Sequence, residues 1–245
     1  MRLNSNGMLS NLQPEKSTFD AQLLALPASS WFFALSDSVR QVLLNDASGV
    51  SLKAGEMLFR RGDAPLGFYA LLRGCIKMST LSEDGREGIL STLEPGTWFG
   101  EISLIDGQPR THDATALGNV ELMLVTPEAF AHAMQVPQFA MAIAQILAYR
   151  IRLLYGAIED VHLRSPRART ARRLLLLSGS NTMHASTPQS SIQISQESLA
   201  MMLGMSRQTL SKELKFLCQR KVISLGYRTI DIISPADLLH FCDHN

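Results

Sequence analysis

The sequence predicts an α+β protein in which a small antiparallel β-roll is followed by a long helix and a second, mainly helical domain. The chain has 245 residues, of which 46% are hydrophobic, and is long enough to bury more than one core. Between Val50 and Val125 glycines separate short runs of alternating apolar residues, which is typical of strands joined by tight turns. After Thr126 the apolar period changes from two to about 3.6 residues, which predicts helices.

Composition excludes several classes of protein. With 18% charged residues and a net charge of +1 the chain favours collapse, so wholesale disorder is excluded. The cysteines, Cys75, Cys218 and Cys242, are far apart, which argues against a disulfide scaffold and an iron–sulfur cluster, and no metal site is predicted. Residues 1–10 are polar and the apolar run from 23 to 35 is interrupted, so we expect neither a signal peptide nor a membrane partner. We therefore expect a cytoplasmic location.

Charge divides the chain into two parts. Residues 1–162 contain 12 Lys and Arg against 17 Asp and Glu, a balance of −5, whereas residues 163–245 contain 11 against 5, a balance of +6. A cationic surface attracts polyanions, of which nucleic acid is the commonest. The C-terminal third is therefore a candidate nucleic-acid-binding domain.

A long helix is predicted after the β-roll. Thr126 with Pro127 predicts the start of a short helix, and a second helix should begin near Pro137 and end near His162. Seven apolar residues within the second helix recur at steps of four and three, the spacing of a coiled-coil seam. They are Ala140, Ala144, Leu147, Ile151, Leu154, Ile158 and Val161.

This helix could instead lie on its own barrel as an ordinary amphipathic helix. A second apolar row, Ile143, Ile146 and Leu153, is available for that packing and leaves the seam for a partner chain. We therefore expect a homodimer through this helix.

The C-terminal third has the pattern of a helix-turn-helix. An Arg- and Leu-rich helix is predicted to start at Ser165-Pro166, and a loop is predicted from Ser178 to Ser191. Ser195 and Ser206 are placed to cap two further helices, with Gly204 at the left-handed turn between them. The inner faces of these two helices are predicted to be Leu199, Ala200, Leu203, Leu210, Leu214 and Leu217.

The opposite face of the second helix carries donors suited to DNA, because Arg, Lys, Gln and Ser side chains bind phosphates or base edges. The residues predicted to bind DNA are Arg207, Gln208, Ser211, Lys212 and Lys215, with the capping Ser195 and Ser206. A β-hairpin predicted beyond this helix makes the domain winged, and Arg228 at its tip is predicted to touch phosphate. The alternative is a solvated helix hairpin with ordinary polar surface.

A second candidate site lies in the β-roll. Gly100 precedes a predicted short helix whose free backbone N–H groups would face an anion. Arg110 would offer a fork to a phosphate and Thr111 a hydroxyl, while the Glu101 carboxylate would accept from a sugar hydroxyl. The residues leave open an alternative in which Arg110 pairs with Glu101 or Asp106 on the surface and nothing is bound.

The order of the parts and two motifs resemble the Crp-Fnr family of bacterial transcription regulators, over nearly the whole chain after about Thr18. The two motifs are Phe99-Gly100-Glu101 with Pro109-Arg110-Thr111, and Gly204 to Thr209. The resemblance implies a cyclic nucleotide such as cyclic AMP as effector, and double-stranded DNA and RNA polymerase as partners. It places around the effector Phe99, Gly100, Glu101, Ile102, Ser103, Arg110 and Thr111.

We accordingly divide the chain into four parts. These are a flexible tail at 1–18, an effector-sensing β-roll with flanking helices at 19–136, a dimerisation helix at 137–163 and a winged helix-turn-helix domain at 164–245.

Three positions depart from the cyclic-AMP-responsive members of that family. Matching along the seam puts Leu154 and Tyr155 where those members have a Thr-Ser pair that bonds adenine, and His112 replaces a small residue. All three are predicted to line the pocket, with an ordinary surface or strand position as the alternative for His112. Because Leu154 can neither donate nor accept, a different effector, or none, stays an alternative.

An enzyme is the competing class, because small β-barrels also host metal-dependent dioxygenases. Their sites need grouped His and carboxylate ligands, and His112 is the one histidine that falls within the barrel. No nucleophile–base pairing is recognisable either, so catalysis is not expected. Heme is not expected, since Cys75 beside Gly74 is typical of core. A nucleotide-sensing subunit of another protein would leave residues 195–217 unexplained.

Overall fold

We describe a computed structural model of the chain, covering residues 19, 22, 23, 30–178 except Arg86, and 191–243. The predicted tail at 1–18 and most of the predicted loop at 178–191 lie outside the described residues. The chain divides into two compact units, Met1–Asp84 with Leu90–Leu147, and Gly85–Ile89 with Ala148–Asn245.

Two four-stranded sheets make up the predicted β-roll, and all of their strands except the start of β5 belong to the first unit. One sheet has the strand order β1-β8-β3-β6 and the other the order β2-β7-β4-β5. The strands are β1 (Ser48–Leu52), β2 (Met57–Phe59), β3 (Phe68–Arg73), β4 (Ile76–Leu81), β5 (Glu87–Leu93), β6 (Trp98–Phe99), β7 (Asp113–Ala116) and β8 (Val120–Val125).

Short helices flank the roll and share an aromatic core with it. They are α1 (Ser30–Phe33), α2 (Asp37–Asn45), α3 (Glu101–Asp106) and α4 (Pro127–Ala133). Trp98 stacks on Phe32 with ring centroids 5.1 Å apart and meets Phe68 at 5.2 Å. Phe130 contacts both Phe68 and Phe139 edge-on, so one aromatic cluster joins the sheet to the helices on either side.

The long helix α5 (Pro137–Leu163) agrees with the predicted bounds. Ile143 is buried in the aromatic core and Ile146 packs against it, as expected for the row that serves the helix's own domain. Phe139, which was not assigned to that row, is buried in the same core. The expectation for Leu153 is wrong: its side chain is 44% exposed, because the core ends near Leu147. Leu147 was assigned to the seam, yet it packs partly on its own core.

By length and composition, α5 also meets the criterion for a membrane-crossing helix, and it is the one helix in the described part of the chain that does so. Phe139 and Ile143, in the first two turns of α5, are buried in the core, and this burial explains why these turns are apolar.

The second unit contains α6 (Pro166–Leu177), α7 (Gln196–Leu203), α8 (Arg207–Gln219) and α9 (Pro235–Asp243). A three-stranded antiparallel sheet of order β10-β11-β9 accompanies them. Its strands are β9 (Ser191–Gln193), β10 (Ile223–Gly226) and β11 (Thr229–Ile232).

Helix caps and a turn glycine determine where the helices of the helix-turn-helix begin and end. The Ser195 hydroxyl accepts from the Ser198 N–H and the Ser206 hydroxyl from the Thr209 N–H, each at 3.0 Å, so both predicted caps are made. Gly204 ends α7 with φ 58°, in the left-handed conformation that favours glycine. The six predicted inner-face residues are all buried, with Leu199, Leu210, Leu214 and Leu217 fully so.

The wing is a tight hairpin. Gly226 and Thr229 belong to the paired strands, so the turn consists of Tyr227 and Arg228 alone. Arg228 has φ 56°, a conformation that costs a non-glycine residue about 1–2 kcal/mol.

The burial of Leu214 makes the stability of the second unit testable. Leu214→Ala removes a fully buried side chain from the helix-turn-helix core and is expected to lower the free energy of unfolding by about 2–5 kcal/mol. Leu239→Ala, at a position 54% exposed on α9, is the matched control and should change it by no more than about 0.5 kcal/mol. Urea denaturation followed by circular dichroism measures both, and equal effects would contradict the assigned core.

Candidate functional site

The first candidate site is built on a glycine between β6 and α3. Gly100 has φ 97°, and an added Cβ would lie 3.0 Å from both Nη1 of Arg110 and the carbonyl oxygen of Gly67. Both the conformation and the space therefore require glycine. This lets the start of α3 approach Arg110 closely.

Arg110 joins two segments of the roll from inside. Its side chain is 4% exposed, with Nη1 donating to the Gly100 carbonyl at 2.8 Å and Nη2 to the Gly67 carbonyl at 2.7 Å. Its backbone is fixed by Gly62, which donates to the Arg110 carbonyl, and by Asp63, whose carbonyl accepts from the Arg110 N–H, both at 2.8 Å. The alternative of a surface pair between Arg110 and Glu101 or Asp106 is therefore wrong.

The Arg110 guanidinium lies between aromatic rings. Its Cζ is 4.5 Å from the centroid of Phe59 and 5.7 Å from that of Tyr69. Burial lowers the pKa of Arg110 and raises the pKa of the Tyr69 phenol. Among the described residues Nε of Arg110 has no hydrogen-bond partner although it is buried. A buried donor without a partner is rare and points to a missing acceptor.

A cavity of about 230 Å³ lies against this cation. Its wall is mostly apolar and aromatic, with the Arg110 guanidinium and one carboxylate, Asp63. The lining residues are Leu58, Phe59, Asp63, Ala64, Leu66, Tyr69 and Arg110. Apolar walls with a few convergent polar groups are typical of small-molecule sites, although such sites commonly measure roughly 300–1,000 Å³.

The structure separates the other predicted effector residues by role. Phe99 is core, stacked on Tyr69 with centroids 5.5 Å apart, and the Ser103 hydroxyl donates to the Pro109 carbonyl at 3.3 Å. Glu101 is fully buried at the start of α3, whereas Ile102 is 39% exposed.

Four further residues were predicted to contact the effector, two beside Arg110 in the sequence and two on α5. Thr111 is exposed, and its hydroxyl is 2.7 Å from Nδ1 of His112. Leu154 and Tyr155 belong to the second unit and are each 64% exposed.

Sequence reasoning missed Phe59, Tyr69 and Gly67 at this site. They come from β2, β3 and the loop before β3, far in sequence from the Gly100 and Arg110 motif. No local signal marks them, because only the closure of the roll brings them to the guanidinium.

The second candidate site is a concave surface on α8. A cavity of about 670 Å³ is lined by Gln196, Arg207, Gln208, Ser211, Lys212 and Lys215, which we call the reading surface. All five predicted residues of the helix face lie on it, and its three charged members are cations. The cap residues Ser195 and Ser206 use their hydroxyls on backbone N–H groups instead. Gln196 was missed, although its place directly after a helix cap was a usable signal.

Many of the cations that make the C-terminal third basic are used inside the domain. Arg167 pairs with Glu213 of α8 at 2.9 Å, and Arg172 pairs with Asp160 of α5 at 3.2 Å. Carbonyl groups accept from three others: Arg164 bonds to Cys242, Arg169 to Leu203 and Arg173 to Met202. Arg164 and the arginines of α6 therefore brace the fold, whereas the cations of the reading surface lie on α8.

No group of three or more His, Cys, Asp or Glu side chains placed to hold a metal ion occurs in the described ranges. Burial raises the pKa of the Cys75 thiol, which favours the protonated form over a thiolate ligand.

Comparison with known protein families matches both sites. Residues 49–136 match the cyclic nucleotide-binding domain, and residues 168–241 match the Crp-like helix-turn-helix domain. The first match contains Gly100 and Arg110, and the second contains the reading surface.

Characterised relatives cover most of the chain. The Cyclic AMP receptor protein of Thermus thermophilus is 30% identical over 185 residues, which are 74% of this chain and 82% of that protein. The CRP-like cAMP-activated global transcriptional regulator of Mycobacterium tuberculosis is 26% identical over 210 residues, covering 85% and 93%.

Solved structures share the fold. A CRP/FNR-family transcriptional regulator from Thermus thermophilus superposes with a TM-score of 0.66 at 26% identity, covering 80% of this chain and 98% of that one. FixK2 from Bradyrhizobium japonicum superposes with a TM-score of 0.70 at 20% identity, covering 80% and 96%. The chain therefore belongs to the Crp/Fnr family and is a DNA-binding transcription regulator with a cyclic nucleotide-binding domain, not an enzyme.

Proposed function

We propose that this regulator is a cytoplasmic homodimer whose β-roll binds a cyclic nucleotide, in the first place cyclic AMP, and whose reading surface binds an operator in duplex DNA. The observation that carries the effector proposal is the buried guanidinium of Arg110, with an unpartnered Nε beside a cavity.

A phosphate is the group that suits this cation. A buried positive charge favours an anion, and an arginine fork matches the two oxygens of a phosphodiester. Glu101 at the start of α3 would accept from the ribose hydroxyl, and Thr111 would donate to the phosphate. The relatives named for cyclic AMP support adenosine as the nucleoside.

The cavity would have to change on binding. Both terminal nitrogens of Arg110 already donate to carbonyls, so a phosphate must either add to Nε or replace one of these bonds. The volume of about 230 Å³ is also small for a whole nucleotide, so the wall at Leu58 and Leu66 would move outward. These two changes are the steps by which an effector would alter the roll.

The dimer is proposed from the exposed apolar stripe of α5. Ile151 is 50% exposed, Leu154 64%, Ile158 54% and Val161 60%, and they recur at steps of three, four and three. Apolar residues with that spacing pack as knobs into the holes of a second helix. The stripe is available because the core of the first unit covers only the first turns of α5.

Two dimer helices would fix the separation of the two reading surfaces at about one DNA turn, roughly 34 Å. An effector acts as a switch when it binds one arrangement more tightly, and a hundredfold shift needs about 2.7 kcal/mol of differential affinity. RNA polymerase is the proposed protein partner once the operator is bound.

A second candidate is the same DNA-binding regulator with a non-nucleotide effector, or with none. This candidate is favoured because both terminal nitrogens of Arg110 already donate to backbone carbonyls and need no phosphate. It is also favoured by Leu154, whose side chain cannot form a hydrogen bond with adenine.

The effector proposal predicts that cyclic AMP stabilises the folded protein through Arg110. At about 100 times its Kd, a ligand that binds only the folded state raises the free energy of unfolding by about 2.7 kcal/mol. Calorimetric titration and thermal unfolding should show binding and this shift in the parent, and neither in Arg110→Lys, which keeps the charge but loses the fork. Arg60→Ala, an exposed neighbour, is the control and should behave as the parent.

Cyclic GMP and cyclic di-GMP serve as competing ligands in the same titration. Absence of binding by all three to folded parent protein would reject the cyclic nucleotide and leave the second candidate.

We predict that substitutions at two cations of the reading surface weaken DNA binding in different ways. Arg207→Ala is expected to cost about 1–3 kcal/mol on the preferred duplex and to relax base preference, since Arg207 lies at the N-terminus of α8 where base edges are read. Lys215→Ala is expected to weaken all duplexes about equally and to reduce the salt slope by about 1. Fluorescence anisotropy over a salt series measures both, and unchanged binding by both variants would show that another face reads DNA.

A further inference from the structure

The recognition helix α8 has a third face besides its core and reading faces. With 3.6 residues per turn, Phe216 lies about 110° and Glu213 about 170° around the helix axis from the centre of the five α8 residues of the reading surface. Glu213 is only 7% exposed. A carboxylate is rarely buried to that degree unless a cation pairs with it.

Arg167 of α6 supplies that cation. Its Nε donates to Oε2 of Glu213 at 2.9 Å, and its Cζ lies 3.6 Å above the centroid of the Phe216 ring. The Arg167 side chain is 35% exposed, so solvent screens the pair and its contribution to stability is small. Stability alone therefore gives little reason for this arrangement.

The place of Arg167 in its own helix is electrostatically unfavourable. It is the second residue of α6, in a first turn that contains no acidic residue. The partial positive charge at a helix N-terminus repels a cation there. The contacts with Glu213 and Phe216 offset this cost, which links the position of Arg167 to the orientation of α8.

The contacts are directional in a way that leucine packing is not. A roll of α8 by about 20° would move side-chain tips at a radius of about 6 Å by about 2 Å. Hydrogen bonds to base edges tolerate only about 0.5 Å of variation in length. The leucines of the core face fix where α8 lies, whereas a hydrogen bond and a stacked guanidinium on the third face are suited to fix its rotation.

We propose that Arg167 and Glu213 are positioning residues that set the rotation of α8 and thereby the discrimination between operator and non-specific DNA. The proposal rests on the reading surface assigned above, since that surface must turn with the helix. Neither residue needs to touch DNA.

Apolar replacement separates positioning from stability. Replacing a buried ion pair by apolar side chains of similar size commonly leaves stability unchanged, whereas removing one partner leaves an unpaired charge and lowers it. The test therefore compares Arg167→Met and Glu213→Leu, singly and together, in the full chain. Thermal unfolding should show a lower Tm for each single variant than for the double variant, which should lie close to the parent.

Two duplexes are the probes. One is selected from a randomised library by the parent protein, with and without cyclic AMP, and the other is a scrambled duplex of the same length. The double variant is expected to bind the scrambled duplex as the parent does and to lose about tenfold or more of the preference for the selected one. Arg172→Met is the matched control, because it breaks an ion pair of α6 with α5 rather than with α8, and it should keep the preference.

The outcomes separate the proposals. Preference kept by the double variant but lost by Arg207→Ala overturns the positioning role alone, and preference kept by both overturns the reading surface as well. Equal losses on both duplexes together with a lowered Tm also overturn the positioning role, and assign the pair to stability.

Discussion

An apolar helix face that its own domain does not cover constrains the rest of this molecule. The core of the first unit buries Phe139 and Ile143 and partly covers Leu147. Beyond Leu147, α5 continues for about four more turns that this core does not cover. The stripe from Ile151 to Val161 is left facing solvent. Its residues stand at heptad spacing, which supports the proposal that a second copy of the same helix covers it.

The energetics of such a pairing are balanced. Four side chains from each copy, each already about half shielded, would gain roughly 6–12 kcal/mol on burial. Association costs about 4–15 kcal/mol in lost freedom. A pairing through the stripe would therefore be one that a moderate change elsewhere can shift, which suits the proposed control by an effector through the dimer helices. The arginines of α6 serve a different purpose, since they brace α5, α7 and α8 beneath the reading surface.

The sequence predicted what local rules control. Capping serines, Gly204 and leucine spacing specified the helix-turn-helix because each acts within a few residues along the chain. Contacts between residues far apart in the sequence could not be predicted from local patterns. The Gly67 carbonyl accepts from Arg110, 43 residues away in the sequence, and Arg167 pairs with Glu213, 46 residues away. Helical periodicity shows that a row is apolar but not how far along the helix the core extends, which is why the expectation for Leu153 was wrong.

The molar mass in solution tests the central claim, the pairing of α5, most directly. Light scattering across a concentration series should give twice the chain mass for the parent and the single-chain mass for Leu154→Asp, because a charge at the centre of the stripe cannot be buried unpaired. Leu154 is 64% exposed in the single chain, so the variant should remain folded by circular dichroism. Glu128→Lys, at an exposed position on α4, is the control and should stay dimeric. A parent of single-chain mass at all concentrations, or a folded Leu154→Asp of doubled mass, would contradict the account.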